Sequence, residues 1–371
     1  MQTRRSFIKT LCASAAACSS GFLFSGCTQE ADAGVVLTEA QYYVKESGNT
    51  VRCQLCPRGC RLSDGSTGAC RVRKNSNGKL YSLVYGKPVS IHIDPIEKKP
   101  FYHFLPGAKA FSLATAGCNL RCSFCQNWEI SQADPDSIPA YDGQPGDMAK
   151  KAEEAGTPVI TCTYTEPAIF IEYAKDIAAE AKKRKIRTTI VSAGFINEKP
   201  LKELCKCVSA IKIDLKAFDD SFYRDLTGGR LEPVKKALVT IRNSGVWLEI
   251  VNLVIPGKND NIDKIKEMCV WVKKELGENT PVHFTRFIPM YKMRNVPPTP
   301  GKTLEQARKT GLETGLKYVY VGNLPGHPGN STYCPSCGRV VIERTGFNID
   351  RKNLVNGRCG SCKTAIAGIW K

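Results

Sequence analysis

Nothing in this 371-residue chain is long and apolar enough to cross a bilayer. Residues 11–24 are apolar, but the stretch is short and rich in Ala and Ser, and no later one approaches the roughly 20 residues that a spanning helix needs. A bundle of membrane helices is therefore excluded, leaving a chain that is soluble or tethered at one end. No self-similarity recurs at a period of about 20 to 50 residues, so a repeat array is set aside as well. Acidic residues are in deficit: 35 Asp and Glu stand against 53 Lys and Arg, a formal net charge of +18. That balance suits nucleic acid or an anionic membrane. The lysines, however, are dispersed through helix-like segments such as Ala181-Lys-Lys-Arg-Lys-Ile186, which read as solvated faces. No aromatic-basic stacking pattern accompanies them, so nucleic acid is not the expected partner.

What the chain has in excess is cysteine, 18 in all, falling in spaced groups that point to metal more than to structural thiols. Disulfides are the rival reading because the N-terminus looks like an export signal. Arg4-Arg5-Ser-Phe-Ile-Lys9 precedes the apolar stretch, and no acidic residue occurs before Glu30. Twin arginines in that setting suggest the Tat route, which moves proteins already folded. Leu23-Phe-Ser-Gly-Cys27 resembles a lipoprotein cleavage box, with Phe24 where Leu is usual. The expectation is a signal peptide over 1–27, whose removal discards Cys12 and Cys18, then a tether over 28–50 containing a short helix. The product would be periplasmic or a lipoprotein held to the membrane only by its anchor; the alternative is a cytoplasmic protein with an inefficient signal. An oxidising compartment favours disulfides, whereas export after folding lets a metal be loaded first.

Beyond the tether, 51–110 reads as a cysteine-rich N-terminal module whose strands alternate as half-buried strands do, at 80–85 and 89–93. From residue 111 the rhythm becomes apolar strand, motif, helix. Strands are predicted at 111–116, 159–164, 187–192, 210–215, 248–254 and 282–287, with a final one at 318–321. Helices are predicted at 148–155, 169–184, 199–207, 233–244, 262–276 and 304–314. Such alternation argues for a parallel sheet with right-handed crossovers. The predicted class is α/β, an open partial (β/α)6 barrel over 111–325, short of the closed eight-stranded form, with a small module over 330–371. Barrels of this kind assemble their sites where the loops leave the C-terminal strand ends. Those loops carry Cys118, Cys122 and Cys125 after the first strand, Thr165-Glu166-Pro167 after the second, Ser192 at the third, Asp214 and Lys216 at the fourth and Asn252 at the fifth.

The run Cys118-Asn-Leu-Arg-Cys122-Ser-Phe-Cys125 offers three thiolates from one loop, one fewer than a closed tetrahedral site needs. A cubane held by three cysteines keeps one iron free to bind a substrate or cofactor. C-x3-C-x2-C with an aromatic, Phe124, before the last cysteine resembles the signature of radical S-adenosylmethionine (SAM) enzymes. Five further stretches sharpen this: Asp94-Pro-Ile-Glu-Lys-Lys-Pro-Phe-Tyr-His-Phe-Leu-Pro106, Cys125-Gln-Asn127, Tyr164-Thr-Glu-Pro167, Ile213-Asp-Leu-Lys216 and Tyr318-Val-Tyr-Val-Gly-Asn-Leu-Pro-Gly-His327. Together they resemble the radical SAM enzymes of the AmmeMemoRadiSam system, relatives of pyruvate formate-lyase activating enzymes. The resemblance implies a [4Fe-4S] cluster on Cys118, Cys122 and Cys125 with SAM on its open iron. It implies reductive cleavage to a 5′-deoxyadenosyl radical that takes hydrogen from a substrate, and a flavodoxin- or ferredoxin-like electron donor. Association with AMMECR- and Memo-domain proteins is implied too, or else activation of a glycyl-radical enzyme. Carried onto this chain, the cofactor-binding set is Phe124, Asn127, Thr165, Glu166, Ser192, Asp214 and Lys216. Thr165-Glu166-Pro167 stands where relatives have a Gly-Gly-Glu-like segment, and Asp214 with Lys216 resembles their Asp-x-Lys motif. His283 and Arg286 are weaker candidates for SAM's ribose or carboxylate.

Two more cysteine sets flank the barrel. Cys334-Pro-Ser-Cys337 and Cys359-Gly-Ser-Cys362 form the pair of pairs of a zinc ribbon, with Gly338 and Gly360 suited to the knuckle turns. Cys53, Cys56, Cys60 and Cys70 could bind zinc or an auxiliary iron–sulfur cluster, and spacing leaves both open. Cys162, Cys205, Cys207 and Cys269 read as inert thiols. The rival classes are a zinc-ribbon nucleic-acid-binding module and an exported electron carrier without SAM chemistry.

Overall fold

The computed structural model describes residues 37–371; the signal over 1–27 and the start of the tether lie outside the described residues. Six short strands come first: β1 (Thr38–Glu39), β2 (Tyr43–Lys45), β3 (Val51–Cys53), β4 (Arg61–Leu62), β5 (Arg73–Ser76) and β6 (Lys79–Ser82). They pair as two small antiparallel sheets, β1-β6-β5 and β2-β3-β4. The stretch read as tether with a short helix thus contributes two strands from Thr38 onward. Its residues have no helical apolar stripe, and the exposed β3 and β6 edges offer them hydrogen-bond partners.

The core is one eight-stranded sheet. It contains β7 (Pro88–Pro95), β8 (Lys109–Thr115), β9 (Val159–Cys162), β10 (Arg187–Ser192), β11 (Ala210–Asp214), β12 (Trp247–Val254), β13 (Val282–Arg286) and β14 (Val319–Gly322) in unbroken spatial sequence. From β8 to β14 all neighbours are parallel. The final predicted strand therefore joins the barrel. So does β7, which sequence reasoning assigned to the satellite module; it lies antiparallel on β8. With β7 and β14 at opposite edges the barrel stays open.

Period-two alternation sorts the side chains. Ile211, Ile213, Ile250 and Phe284 are buried in the main apolar core, whereas Lys212, Glu249 and His283 are buried polar residues one position away on the same strands. Helices cover the outer face. Ile262–Leu276 starts where the Asn261 side chain accepts hydrogen bonds from the Asp263 and Lys264 amides, at 3.0 and 3.1 Å, and ends at Gly277 with φ 94°. The helix predicted over 169–184 is divided: Pro167 opens a 3-10 turn, Pro167–Phe170, and the α-helix proper is Ile171–Lys183.

The C-terminal module carries β15 (Thr332–Tyr333), β16 (Val340–Thr345), β17 (Asn348–Lys352), β18 (Leu354–Val355) and β19 (Arg358–Cys359). It is tied to the segment between β7 and β8. The Leu105 amide donates to the Ile369 carbonyl at 2.7 Å and the Ile369 amide to the His103 carbonyl at 2.7 Å. Arg344, fully buried, donates to the Tyr102 carbonyl at 2.8 Å and lies 3.7 Å from the Glu97 carboxylate. The same segment reaches Glu249 of β12, whose two oxygens accept from the Tyr102 and His103 amides at 3.0 and 2.9 Å. Among the described residues no helix is long and apolar enough to cross a membrane.

Candidate active site

The loop after β8 turns at Gly117, whose φ of 88° is a left-handed conformation that a side chain would resist. A π-turn at Tyr223–Thr227 supports the loop from one side. The Thr227 carbonyl accepts from the Arg121 amide and the Leu226 carbonyl from the Ser123 amide, both at 2.8 Å. The loop delivers Cys118, Cys122 and Cys125 to the wall of one cavity of about 390 Å³, formed where the parallel strands end. Burial pushes the Cys118 thiol well above its ordinary range, with the Glu166 carboxylate adding to the effect. Burial raises Cys122 to about 11, against the pull of the Lys216 ammonium.

The other predicted contacts face the same cavity: Phe124, Asn127, Thr165, Glu166, Ser192, Asp214 and Lys216 all line it. Glu166 is held by three donors, the Ser192 hydroxyl at 2.6 Å, the Ala193 amide at 2.8 Å and the Ala168 amide at 3.1 Å. Burial raises its carboxyl, while these hydrogen bonds and Lys216 favour the ionised form. Ser192 thus orients Glu166 as well as facing the cavity. Burial also works against Asp214, yet Lys212 and Lys216 hold it at about 2. Lys216 is kept charged by Asp214, 3.3 Å away, and lies 5.8 Å from the Phe124 ring centroid. The Thr165 hydroxyl donates to the Thr115 carbonyl at 2.9 Å and the Asn127 amide to the Tyr164 carbonyl at 2.7 Å, fixing the second loop against the first.

Sequence reasoning missed a second group on this wall. Lys99 and Lys212 are buried and line the cavity with Lys98 and Tyr164. Asp94 accepts from Lys98 at 2.8 Å, from Lys99 at 2.5 Å and from the Tyr164 hydroxyl at 2.5 Å. Burial lowers Lys99 to about 8 even with Asp94 beside it. The signals were present: Lys212 shares the face of Asp214 by strand alternation, and Asp94, Lys98 and Lys99 sit in the Asp94–Pro106 stretch. His283 and Arg286 are not on the cavity. His283 pairs with Glu249 at 2.8 Å deeper in the barrel, and the Arg286 guanidinium donates to the Thr299 carbonyl at 3.0 Å. A wider groove of about 1210 Å³ between the helices Glu198–Cys205 and Leu231–Asn243 carries lysines but no thiol loop or strand-end carboxylate.

The two flanking cysteine sets differ in geometry. Cys334, Cys337, Cys359 and Cys362 bring their sulfurs within 4.8 Å of one another. Cys334 to Cys362 is 3.5 Å and Cys337 to Cys359 is 3.8 Å. A tetrahedron with metal–sulfur bonds of about 2.3 Å has edges of about 3.8 Å, so this set fits one ion. Cys53, Cys56, Cys60 and Cys70 instead line a small cavity together with Arg73. Neither they nor Cys118, Cys122 and Cys125 form a single-ion group among the described residues.

A family model described as the radical SAM superfamily matches residues 112–270. An uncharacterised protein of Methanocaldococcus jannaschii is 45% identical over 332 residues, covering 89% of this chain and 99% of its own length. The pyruvate formate-lyase-activating enzyme of Clostridium pasteurianum is 25% identical over 221 residues, 54% of this chain and 87% of its own. Among solved structures, a domain of pyruvate-formate lyase-activating enzyme from Bacteroides vulgatus aligns with a TM-score of 0.40 at 16% identity, over 44% of this chain and 98% of that one.

Proposed function

We propose that this chain, which belongs to the radical SAM superfamily, binds a [4Fe-4S] cluster on Cys118, Cys122 and Cys125 and abstracts hydrogen from a substrate. The observation that carries the reading is the convergence of those thiols with Glu166, Asp214 and Lys216 on one cavity. When bound, the cluster and SAM supply one-electron cleavage of the sulfonium to methionine and a 5′-deoxyadenosyl radical, chemistry that belongs to the cofactors. The protein's part is position and charge. Glu166, fixed by three hydrogen bonds, offers a carboxylate complementary to an ammonium. Asp214, kept ionised between Lys212 and Lys216, leaves the Lys216 ammonium close to the Cys122 thiol. Phe124 and Leu120, both buried, give the cavity apolar wall beside the thiols.

Anaerobically reconstituted protein given dithionite and SAM is expected to form 5′-deoxyadenosine, and Cys122→Ala to form none. Equal yields from the two would sink the proposal. Similarity to pyruvate formate-lyase-activating enzymes favours a protein substrate, with hydrogen taken from a backbone glycine. The motifs that resemble those of the AmmeMemoRadiSam enzymes favour AMMECR- and Memo-domain partners instead. Radical spectroscopy after incubation with each candidate separates the two. The twin arginines favour a protein loaded in the cytoplasm and then exported, which fractionation of cells tests.

A further inference from the structure

The N-terminal cysteines form a built site that radical cleavage of SAM does not by itself require. Cys53, Cys56 and Cys70 are buried and Cys60 partly so, and all four line one small cavity. A Cβ placed on Gly68 would lie 3.8 Å from the Cys70 sulfur and 3.9 Å from that of Cys60, so the glycine leaves room beside both. Arg73, 1% exposed, joins the lining. Its terminal nitrogens pair with Glu172 at 3.1 and 2.7 Å and with the Gln41 carbonyl at 2.6 Å, but its Nε has no hydrogen-bond partner. A buried donor without a partner, on a residue that lines the same cavity as four thiols, suits a site that holds an anion.

The ribbon is an internal standard for what the missing anion is. Its four sulfurs already stand at the separations of one tetrahedral ion. The N-terminal sulfurs do not form such a group. A cubane places each thiolate on a different iron, so its sulfurs stand farther apart than those around one ion.

The position is equally informative. A Cβ on Gly117 would fall 2.6 Å from the Cys70 carbonyl oxygen, so the two loops touch backbone to backbone. Asn119 adjoins Cys118 in the chain, and Arg58 is two residues from Cys56. Arg58 closes the seam by donating to the Asn119 and Gly228 carbonyls at 2.5 and 2.8 Å.

We propose that Cys53, Cys56, Cys60 and Cys70 hold a second [4Fe-4S] cluster, which relays electrons to the Cys118–Cys125 loop. One electron from a reduced flavodoxin- or ferredoxin-type protein takes this cluster from 2+ to 1+. Its departure toward the loop returns the cluster to 2+, and no bond is made or broken. Cys60, the least buried of the four, marks the side of entry. Only the electron's destination rests on the radical reading above; the presence of the cluster does not.

The test uses the full chain, purified without oxygen. Wild type is expected to carry about eight irons and eight sulfides, and Cys118→Ala/Cys122→Ala/Cys125→Ala about half of each, with an electron paramagnetic resonance signal that SAM does not perturb. That triple variant makes no 5′-deoxyadenosine on any account, so its iron is counted independently of the radical reading. About four irons with about two zincs in wild type, or an iron-free triple variant, would overturn the cluster. For the relay, Cys56→Ser/Cys60→Ser should leave a SAM-sensitive signal but slow its reduction by a flavodoxin-type donor at least about tenfold. Reduction at the wild-type rate would overturn the relay.

Discussion

Protonating His103 should undo the junction between the barrel and the C-terminal module. The side chain is fully buried. Its Nδ1 is 2.6 Å from the Ala367 carbonyl, which only a ring N–H can satisfy, so Nε2 accepts from the Tyr320 hydroxyl. The ring lies 4.4 Å from that of Tyr318 and 5.3 Å from that of Trp370. A second proton would face the Tyr320 hydroxyl, which must then turn toward Thr332, 3.0 Å away. Burial is the dominant influence, lowering His103 from 6.5 to about 4; the Glu249 carboxylate opposes this, while Arg344 and His283 add to it. A lowered histidine contributes stability that is intact above 6.5 and drains away as the pH falls to about 4, since over that interval only the unfolded chain takes up the proton. At about 1.4 kcal/mol per pH unit the loss approaches 3 kcal/mol. Urea unfolding of wild type and His103→Asn between pH 7.5 and 4.5 checks this, because acid loss at the ribbon thiols is common to both and cancels. The wild-type advantage should shrink by most of that amount. The chain has four histidines, so the imidazole can also be followed directly by NMR. Parallel stability curves, or an imidazole that titrates near 6.5, would refute the reasoning.

Gly117→Ala should be poorly tolerated, because its φ is 88° and the new methyl would meet both the Cys70 oxygen and a Val72 methyl at 2.6 Å. Strain of about 1–3 kcal/mol should lower the melting temperature by several degrees and reduce iron content; an unchanged melting curve would count against the tight seam. Cys334→Ser, or chelation, should release about one zinc per chain and free the 330–371 region for proteolysis, since the Leu105–Ile369 and Arg344–Tyr102 contacts depend on the folded ribbon. Cleavage at the untreated rate would show that the module docks without its metal.

Legibility followed the range of the interactions. The strand over Arg187–Ser192 and the helix over Ile262–Leu276 were read to the residue, because alternation and a 3.6-residue stripe are local patterns reinforced by caps. The division of the helix at Pro167–Ile171 was less legible, as it depends on how Glu166 is anchored by Ser192 and Ala193 on the next strand. β7 escaped assignment to the barrel for a similar reason. Its residues alternate as any half-buried strand's do, and only pairing with β8 says which sheet they join. Lys99 looked like one more surface lysine, since its burial is made tolerable by Asp94 and Tyr164, the latter distant in sequence.

By itself the sequence determined the chemistry on offer: three thiols on one loop, two further sets of four, and the order in which strand-end residues follow one another. Those are matters of residue type and spacing, which the chain carries without folding. Only the tertiary structure decided which groups share a space. It put Lys99 and Lys212 beside Asp94 and Asp214, took His283 out of the cavity into a bond with Glu249, and set the Cys70 carbonyl against Gly117. The physical reason is that sulfur separations, desolvation and ion pairing depend on distances across the barrel, and those exist only once remote strands have packed.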